Sequence, residues 1–203
     1  MIGIRRWSLR LAGLAYLAAP STTRAQTTET AVFAGGCFWG IEALFEHVKG
    51  VTESVSGYAV GTASNPSYEM VTTGRTGHAE SVRVTYDPSQ VSYTQLLAVF
   101  FAEHDPTTLD RQGPDRGTQY RSAIFFTSDA QATTARAVIE RLSMAKAFKD
   151  PIVTKVVALE RFYMAEAYHQ DYLERHPLQP YILINDMPKL ADLEHRFPAH
   201  WRE

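Results

Sequence analysis

Apolar and polar positions alternate along the chain in patterns that predict short strands and amphipathic helices. The apolar run 31–34 ends at Gly35-Gly36 and predicts a buried strand that enters a tight turn. After this turn, apolar residues recur at helical spacing and predict a helix that stops at Gly50: Ile41, Leu44, Phe45 and Val48. Cys37 is therefore expected where the strand passes into the helix.

The rest of the chain continues this alternation. Further strands are predicted at 51–58, 81–86, 122–127 and 152–159, and further helices at 92–101, 129–144 and 164–175. Ser92, with Gln95 three residues later, has the signature of a capping box. Polar stretches that contain glycine, at 61–77 and 104–120, predict long loops. This order of elements predicts an α+β fold, with helices largely on one side of a sheet.

Composition narrows the class of protein. The 203 residues favour one domain, and 45% hydrophobic with 21% charged residues excludes a mostly disordered chain, a collagen-like repeat and a polytopic membrane protein. The net charge of −2 gives no long-range attraction to nucleic acid or to an anionic membrane. The single cysteine excludes an intramolecular disulfide and a metal site with several cysteine ligands.

The first residues are typical of a bacterial secretory signal peptide. Arginines precede the apolar stretch 11–20, and small and polar residues follow it. The pair Arg5-Arg6 is similar to a twin-arginine export signal, although the usual Phe is missing. We predict a signal peptide at 1–25, a single domain at 26–203 and a periplasmic or secreted protein, which would be cytoplasmic if the leader is not used. A short membrane anchor or a disordered tail is the alternative.

Cys37 is a candidate nucleophile because of its position. At a helix start, unpaired backbone N–H groups and the positive end of the helix dipole favour a thiolate. The Gly35-Gly36 turn lets the backbone approach a ligand closely, and two large aromatic residues, Phe38 and Trp39, follow the sulfur. The alternative is that a lone cysteine is a small buried apolar residue and that the two aromatic residues belong to the core.

Seven histidines could serve a cysteine nucleophile as a base. His78 and His104 lie in loops, so a cysteine-dependent hydrolase or acyltransferase that uses Cys37 and His78 is one hypothesis. A non-catalytic module that binds methionine-containing peptides through the aromatic residues is another. The histidine spacings match no zinc motif, and the glycine pair lacks the lysine of a phosphate-binding loop, so we predict no metal site.

A series of short motifs runs through the chain in a fixed order. The first is Gly36-Cys37-Phe38-Trp39-Gly40. The others lie at 57–58, 68–69, 76–80, 86–88, 104–108, 111–115, 117–122, 176–177 and 179–181. In residue type and order these motifs resemble those of the peptide methionine sulfoxide reductase family, type A.

The resemblance implies both a fold and a reaction. The fold would be a ferredoxin-like two-layer α/β sandwich with extra helices and loops, in agreement with the α+β order of the predicted elements. The reaction would be thiol-dependent reduction of the S epimer of methionine sulfoxide, free or in proteins, through a cysteine sulfenic acid. The domain at 26–203 would then be a single catalytic domain that repairs oxidised proteins.

The resemblance also assigns the catalytic roles. Cys37 would attack the sulfoxide sulfur, which is electrophilic only when its oxygen is neutralised. Glu80 would be the general acid, and it must be partly desolvated to hold a proton near neutral pH. The alternative for Glu80 is a solvated surface group at the start of a strand. Tyr68 and Tyr120 would donate hydrogen bonds to the sulfoxide oxygen.

Three further residues would complete the substrate-binding site. Asp115 would be a second acid, which orients water or the tyrosines. Phe38 and Trp39 would form the apolar wall that receives the substrate's methyl group and selects the epimer.

The recycling step has to use an external thiol. Many relatives carry a second cysteine in the C-terminal tail, but residues 176–203 contain none. We therefore expect no bound cofactor and a partner such as thioredoxin, glutaredoxin with glutathione, or a periplasmic thiol donor. The other expected partners are oxidised proteins or free methionine sulfoxide, not nucleic acid. Nothing in the sequence demands an oligomer, so a monomer is expected.

Overall fold

The structure, a computed structural model, describes residues 27–203. The predicted signal peptide at 1–25 lies outside these residues. The strands in this range are β1 Glu29–Gly35, β2 Val51–Ala59, β3 Ala79–Tyr86, β4 Arg111–Gln112, β5 Asp115–Arg116, β6 Ser122–Phe126, β7 Lys155–Ala158 and β8 Phe162–Met164. The α-helices are α1 Phe38–Glu46, α2 Tyr68–Thr72, α3 Tyr93–Glu103, α4 Asp129–Met144, α5 Tyr172–Arg175, α6 Pro180–Asn185 and α7 Met187–Arg196.

Six strands form one mixed sheet in the order β7-β6-β1-β3-β2-β8. The pair β6 and β7 is parallel, and the other neighbours are antiparallel. β4 and β5 form a separate two-stranded hairpin. The predicted α+β class is therefore confirmed. Among residues 27–203, no helix is long and apolar enough to cross a membrane.

The sheet is buried on both faces, and β1 shows why. Successive side chains of a strand point to opposite faces. Phe33 stacks on Phe45 of α1 and on Phe100 of α3, each with ring centroids 5.0 Å apart, so the helices pack on this face. Val32 belongs to a second apolar cluster with Phe125, and the partly buried Val60, Leu159 and Phe162 pack against this cluster. This double burial explains the continuous apolar run at the start of the domain.

The start of α3 follows the predicted capping box. Ser92 Oγ accepts a hydrogen bond from the Gln95 N–H, and Gln95 Oε1 accepts one from the Ser92 N–H. Two backbone donors that the first turn leaves free are satisfied in this way.

The prediction of a helix over 164–175 is wrong. β8 ends at Met164, and α5 begins only after Asp171, whose φ of +49° interrupts a right-handed helix. Between them, the side-chain amide of Gln170 accepts a hydrogen bond from Ser56 N–H and donates one to Ser56 O. The Gln170 side chain therefore binds this segment to β2. The spacing of apolar residues cannot predict such a contact.

The two predicted loops contain short elements. The stretch 61–77 includes α2, and 104–120 includes the β4–β5 hairpin and a 3-10 turn at Thr118–Tyr120. The C-terminal helices α6 and α7 are also missing from the prediction. Gln179 caps α6 by accepting the Ile182 N–H, and a proline in its first turn favours the helix.

Candidate active site

The turn between β1 and α1 presents Cys37 at the N-cap of the helix. Gly36 adopts a φ of +102°, a conformation that side chains disfavour. A Cβ at this position would also lie 2.5 Å from Cγ of Gln112. Cys37 is buried in the apolar core, with 9% of its surface exposed.

Glu80 of β3 lies beside this turn. Its side chain is buried, and Oε2 accepts a hydrogen bond of 3.1 Å from the backbone N–H of Phe38. Burial raises the pKa of Glu80 to about 8, and Asp115 adds to the rise, although the Phe38 N–H opposes it. The structure thus brings Cys37 and Glu80 together and holds the carboxyl group largely protonated near neutral pH. The alternative of a solvated surface glutamate does not apply.

The prediction of a thiolate at Cys37 is wrong, because the side chain is buried. Desolvation raises the pKa of the thiol well above its ordinary value, and the negative charges of Glu80 and Asp186 raise it further. The backbone N–H of Trp39 and the ammonium of Lys189 lower it without reversing the balance. The helix start therefore does favour a thiolate, but the surrounding core outweighs that effect.

Tyr68 and Tyr120 reach the same site from two different elements. Tyr68 begins α2, where its backbone N–H donates to Glu166 Oε1 at 2.9 Å, and Tyr120 ends the 3-10 turn that packs on β3. Burial first, and then the charge of Glu80, raises the pKa of Tyr68 to about 12 and that of Tyr120 above its ordinary value. Both phenols therefore keep their hydrogen and can donate a hydrogen bond.

Phe38 and Trp39 differ in burial. Phe38 is fully buried, with its ring centroid 6.5 Å from that of Tyr68 and 5.0 Å from that of His169, so its ring belongs to the core as well as to the site. Trp39 is half-buried, and it stacks on Tyr172 with ring centroids 3.8 Å apart. Its Nε1 donates a hydrogen bond of 3.0 Å to Nδ1 of His169, which fixes the indole.

Asp115 of β5 is held by a residue to which the sequence analysis gave no role. The phenol of Tyr181 donates a hydrogen bond to Asp115 Oδ2. Tyr181 also meets Trp39 edge-on, with ring centroids 6.0 Å apart. The 179–181 motif contained this tyrosine, so the shared motif was the signal that could have identified it.

A buried ion pair from the C-terminal helices also lies against the start of α1. Asp186 is fully buried, and its Oδ1 lies 2.7 Å from Nζ of Lys189. Gly40 leaves room for this carboxylate, since a Cβ there would overlap Oδ1. This pair lies outside the motifs of the sequence analysis, so no signal there identified it.

His78 and His104, the two histidines of the predicted loops, contact groups other than Cys37. His78 is buried with Nε2 2.8 Å from the carbonyl oxygen of Ala63, and within residues 27–203 its Nδ1 has no hydrogen-bond partner. His104 Nε2 lies 2.8 Å from Oγ of Ser122, and Nδ1 contacts the Phe100 carbonyl. The structure therefore forms no cysteine–histidine pair with either residue.

Comparison with known proteins agrees with these observations. Residues 29–201 match the sequence model of the family described as peptide methionine sulfoxide reductase. A relative from Mesorhizobium japonicum, named peptide methionine sulfoxide reductase MsrA 2, is 55% identical over 177 residues, which cover 87% of this chain and 91% of the relative.

Two solved structures are similar as well. Methionine sulfoxide reductase A of Corynebacterium diphtheriae is 41% identical with a TM-score of 0.71, covering 77% of this chain and 78% of that one. Mxr1 from Saccharomyces cerevisiae in reduced form is 34% identical with a TM-score of 0.69, covering 77% of this chain and 90% of that one. Site geometry, sequence and fold converge: the chain belongs to the peptide methionine sulfoxide reductase family, type A, the oxidoreductases that reduce methionine sulfoxide at the expense of thiols.

Proposed function

We propose that this reductase acts on the S epimer of methionine sulfoxide, free or in proteins, with Cys37 as nucleophile and Glu80 as general acid. The observation that carries the proposal is the buried Glu80 carboxyl group, which contacts the N–H of the residue after Cys37 and has a pKa raised to about 8. A sulfoxide needs such a proton, because its oxygen leaves sulfur only when its charge is neutralised.

The step balances in atoms and electrons. Sγ of Cys37 bonds to the sulfoxide sulfur while Glu80 gives its proton to the sulfoxide oxygen. Transfer of this oxygen to Sγ then breaks both the S–O bond of the substrate and the new S–S bond, which leaves Cys37 as a sulfenic acid. The thiol proton returns Glu80 to its acid form. The substrate sulfur gains two electrons and the cysteine sulfur loses two, so methionine leaves.

The surrounding residues support binding of the substrate. Two protonated phenols, Tyr68 and Tyr120, can stabilise the charge that develops on the oxygen. Asp115, held by Tyr181, orients groups around that oxygen. The face of Trp39 and the ring of Phe38 supply an apolar surface for the methyl group, and fixed positions for methyl and oxygen select one epimer.

Recycling of Cys37 requires a thiol from another molecule, because the sequence has no second cysteine. Two thiols reduce a sulfenic acid to the cysteine, with release of water and a disulfide. Mxr1 has been solved in complex with Trx2, which supports a thioredoxin as the donor for this chain. Glutaredoxin with glutathione, or a periplasmic thiol protein, is the alternative donor.

The remaining parts of the proposal concern the chain as a whole. The arginines and the apolar stretch before residue 26 support export to the periplasm or beyond. The exported part would be a single domain at 26–203 that acts as a monomer. We also infer a ferredoxin-like core. The strand order β6-β1-β3-β2, with α1 between β1 and β2, supports this description.

A single-turnover assay without external thiol tests the chemistry. We expect the wild type to release about one methionine per chain from the S sulfoxide, and none from the R sulfoxide, because each chain has one oxidisable thiol. Mass spectrometry should then find one added oxygen on Cys37. Cys37→Ser should release no methionine, and His78→Ala should behave as the wild type. Methionine release by Cys37→Ser would refute the assignment, and ester cleavage lost in His78→Ala would favour a hydrolase.

A further inference from the structure

Three carboxylates meet at the end of α1 opposite to Cys37. Glu42 and Glu46 lie one turn apart on this helix, and Asp171 precedes α5. A carboxylate oxygen from each of the three lies within 4.8 Å of the oxygens of the other two. This spacing allows all three to contact one cation at oxygen–metal distances of 2.3 to 2.6 Å.

The placement of these acids conflicts with ordinary helix chemistry. Like charges four residues apart destabilise a helix, and the C-terminal end of a helix repels negative charge. Burial raises the pKa of Glu42 to about 7, and burial together with the charges of Glu42 and Asp171 raises that of Glu46 to about 8. Protonation relieves this conflict in the cation-free protein, in which Glu46 also shares a hydrogen bond with Asp171, and a bound cation would relieve it in the ionised form.

Buried polar atoms beside the acids are left without partners. Glu42 is 1% exposed; its Oε1 accepts the Ser56 N–H at 3.1 Å, whereas its Oε2 has no hydrogen-bond partner within residues 27–203. Ser54, 8% exposed, lines the same cleft as Glu46 and Asp171, and its Oγ also has no partner in this part of the chain. Native proteins rarely leave such atoms unsatisfied without a ligand or water.

The neighbouring cations do not neutralise the cluster. Arg202 lines the cleft, but its guanidinium donates to the backbone carbonyls of Glu46 and Val51. Arg175 binds Oδ2 of Asp171 at 2.7 Å. Among the described residues, neither Glu42 nor Glu46 takes part in an ion pair with a lysine, arginine or histidine.

We propose that the carboxylates of Glu42, Glu46 and Asp171 bind a hard divalent cation of the calcium or magnesium type beside the cleft of about 530 Å³ that Glu46, Asp171 and Ser54 line. Carboxylate and hydroxyl oxygens are the ligands that these ions prefer, and water completes the coordination shell. We call this surface the carboxylate cleft.

The cation joins two parts of the fold that shape the substrate pocket. α1 begins directly after Cys37 and carries Trp39 in its first turn. Asp171 precedes Tyr172, the residue that stacks on Trp39. A cation in the carboxylate cleft therefore cross-links the helix and the segment that together hold the indole, and it stabilises the folded state because the unfolded chain has no such site.

Cation binding is tested on the full chain after treatment with a chelator. Calorimetric titration with CaCl2 and with MgCl2 should show binding to the wild type, and either salt should raise its Tm more than NaCl of equal ionic strength does. Glu46→Gln should weaken binding at least about tenfold, because a ligand is lost. It should also raise the Tm of the cation-free protein near pH 7, because a buried carboxyl group with a raised pKa costs stability there and the amide does not.

Glu174→Gln is the matched control. Glu174 lines the same cleft and loses the same charge, but it lies outside the group of three, so this variant should bind as the wild type does. Absence of binding to the wild type at millimolar CaCl2 and MgCl2, or equal binding by Glu46→Gln, would overturn the proposal. Sulfoxide reduction by Glu46→Gln is also measured without added cation. Activity of this variant separates a failure of cation binding from a failure of the proposed reaction.

Discussion

Burial determines the protonation state of Glu80. Its carboxyl group accepts a hydrogen bond from the Phe38 N–H, which by itself would lower its pKa. Removal from water has the larger effect and raises the pKa to about 8. The same desolvation keeps the thiol of Cys37 protonated. At the scale of single residues, burial therefore keeps both Glu80 and Cys37 protonated. The proposed reaction needs this state, because it transfers a proton to the sulfoxide oxygen.

Replacement of Glu80 tests this interpretation. We expect Glu80→Gln to slow methionine formation about 100-fold to 10,000-fold, since a positioned acid contributes that much to a rate. In the proposed mechanism the active form of the wild type has Glu80 protonated, so its rate should fall as the pH rises through about 8. The variant should lose this decline. Single-turnover rates measured across the pH range check both expectations.

Glu103→Gln is the control for buried glutamates in general. Burial also raises the pKa of Glu103, to about 7, but Glu103 ends α3 and has no contact with Phe38. This variant should keep the rate and pH profile of the wild type. If Glu80→Gln also keeps both, Glu80 is not the acid.

Some residues of the site could be identified from the sequence, and others could not. Cys37 and Glu80 lie in motifs that the sequence analysis read directly. Tyr172 and His169 contact Trp39 across more than a hundred residues, and their own neighbourhood in the sequence gives no sign of that contact. The thiolate prediction was wrong for the same reason, because local sequence reports the helix start but not the core around it.

At the scale of elements, the β1–α1 turn fixes the direction of Cys37, the proposed nucleophile. Gly36 has a φ that side chains disfavour, and Gln112 fills the space beside it. Gln112 is itself held by two hydrogen bonds to the backbone of Asp105, at 3.1 and 3.2 Å, so it cannot move away easily. The hairpin that carries Gln112 and the turn that carries Cys37 therefore position one another.

Substitution at this turn should be costly. We expect Gly36→Ala to lower the free energy of unfolding by about 1–3 kcal/mol through backbone strain, and further through overlap with Gln112. Gly113→Ala is the control: its φ is +55°, but a Cβ there meets nothing within 4 Å, so only about 1–2 kcal/mol of strain applies. Urea unfolding measures both, and an equal loss in the two variants would contradict the role of Gln112.

Elements with a clear period were predictable, and elements fixed by single side chains were not. β1, α1, α3 and α4 follow apolar spacings or a cap that the sequence displays. The segment 164–175 has apolar residues at helical spacing, yet the Gln170 amide binds the edge of β2 and Asp171 turns the chain. A long-range hydrogen bond overrides local propensity there.

At the scale of the whole molecule, several buried acids act together on stability. Burial raises the pKa of four glutamates to between about 7 and about 8: Glu42, Glu46, Glu80 and Glu103. In the unfolded chain each titrates near 4.5. Between these values the folded protein holds more protons than the unfolded chain, so a rise in pH favours unfolding. His104 opposes this only below about pH 6.5, because its pKa is lowered to about 4.

We therefore expect the free energy of unfolding to fall as the pH rises from about 6.5 to about 8, by at most about 1.4 kcal/mol per pH unit for each extra proton held. Urea unfolding in the presence of a chelator measures the slope. Glu46→Gln should make the slope shallower, because one of the four groups no longer titrates. A free energy of unfolding that stays level or rises over this range would contradict the proposed protonation states.

The short edge strands of the six-stranded sheet disfavour aggregation with proteins that oxidation has unfolded. One edge is β7, of four residues, and the other is β8, of three. Long open edges recruit strands from other chains and seed aggregates, whereas very short ones offer few unpaired backbone groups. When damaged neighbours unfold and expose their own strands, this repair enzyme presents little template to them and can remain dispersed among them.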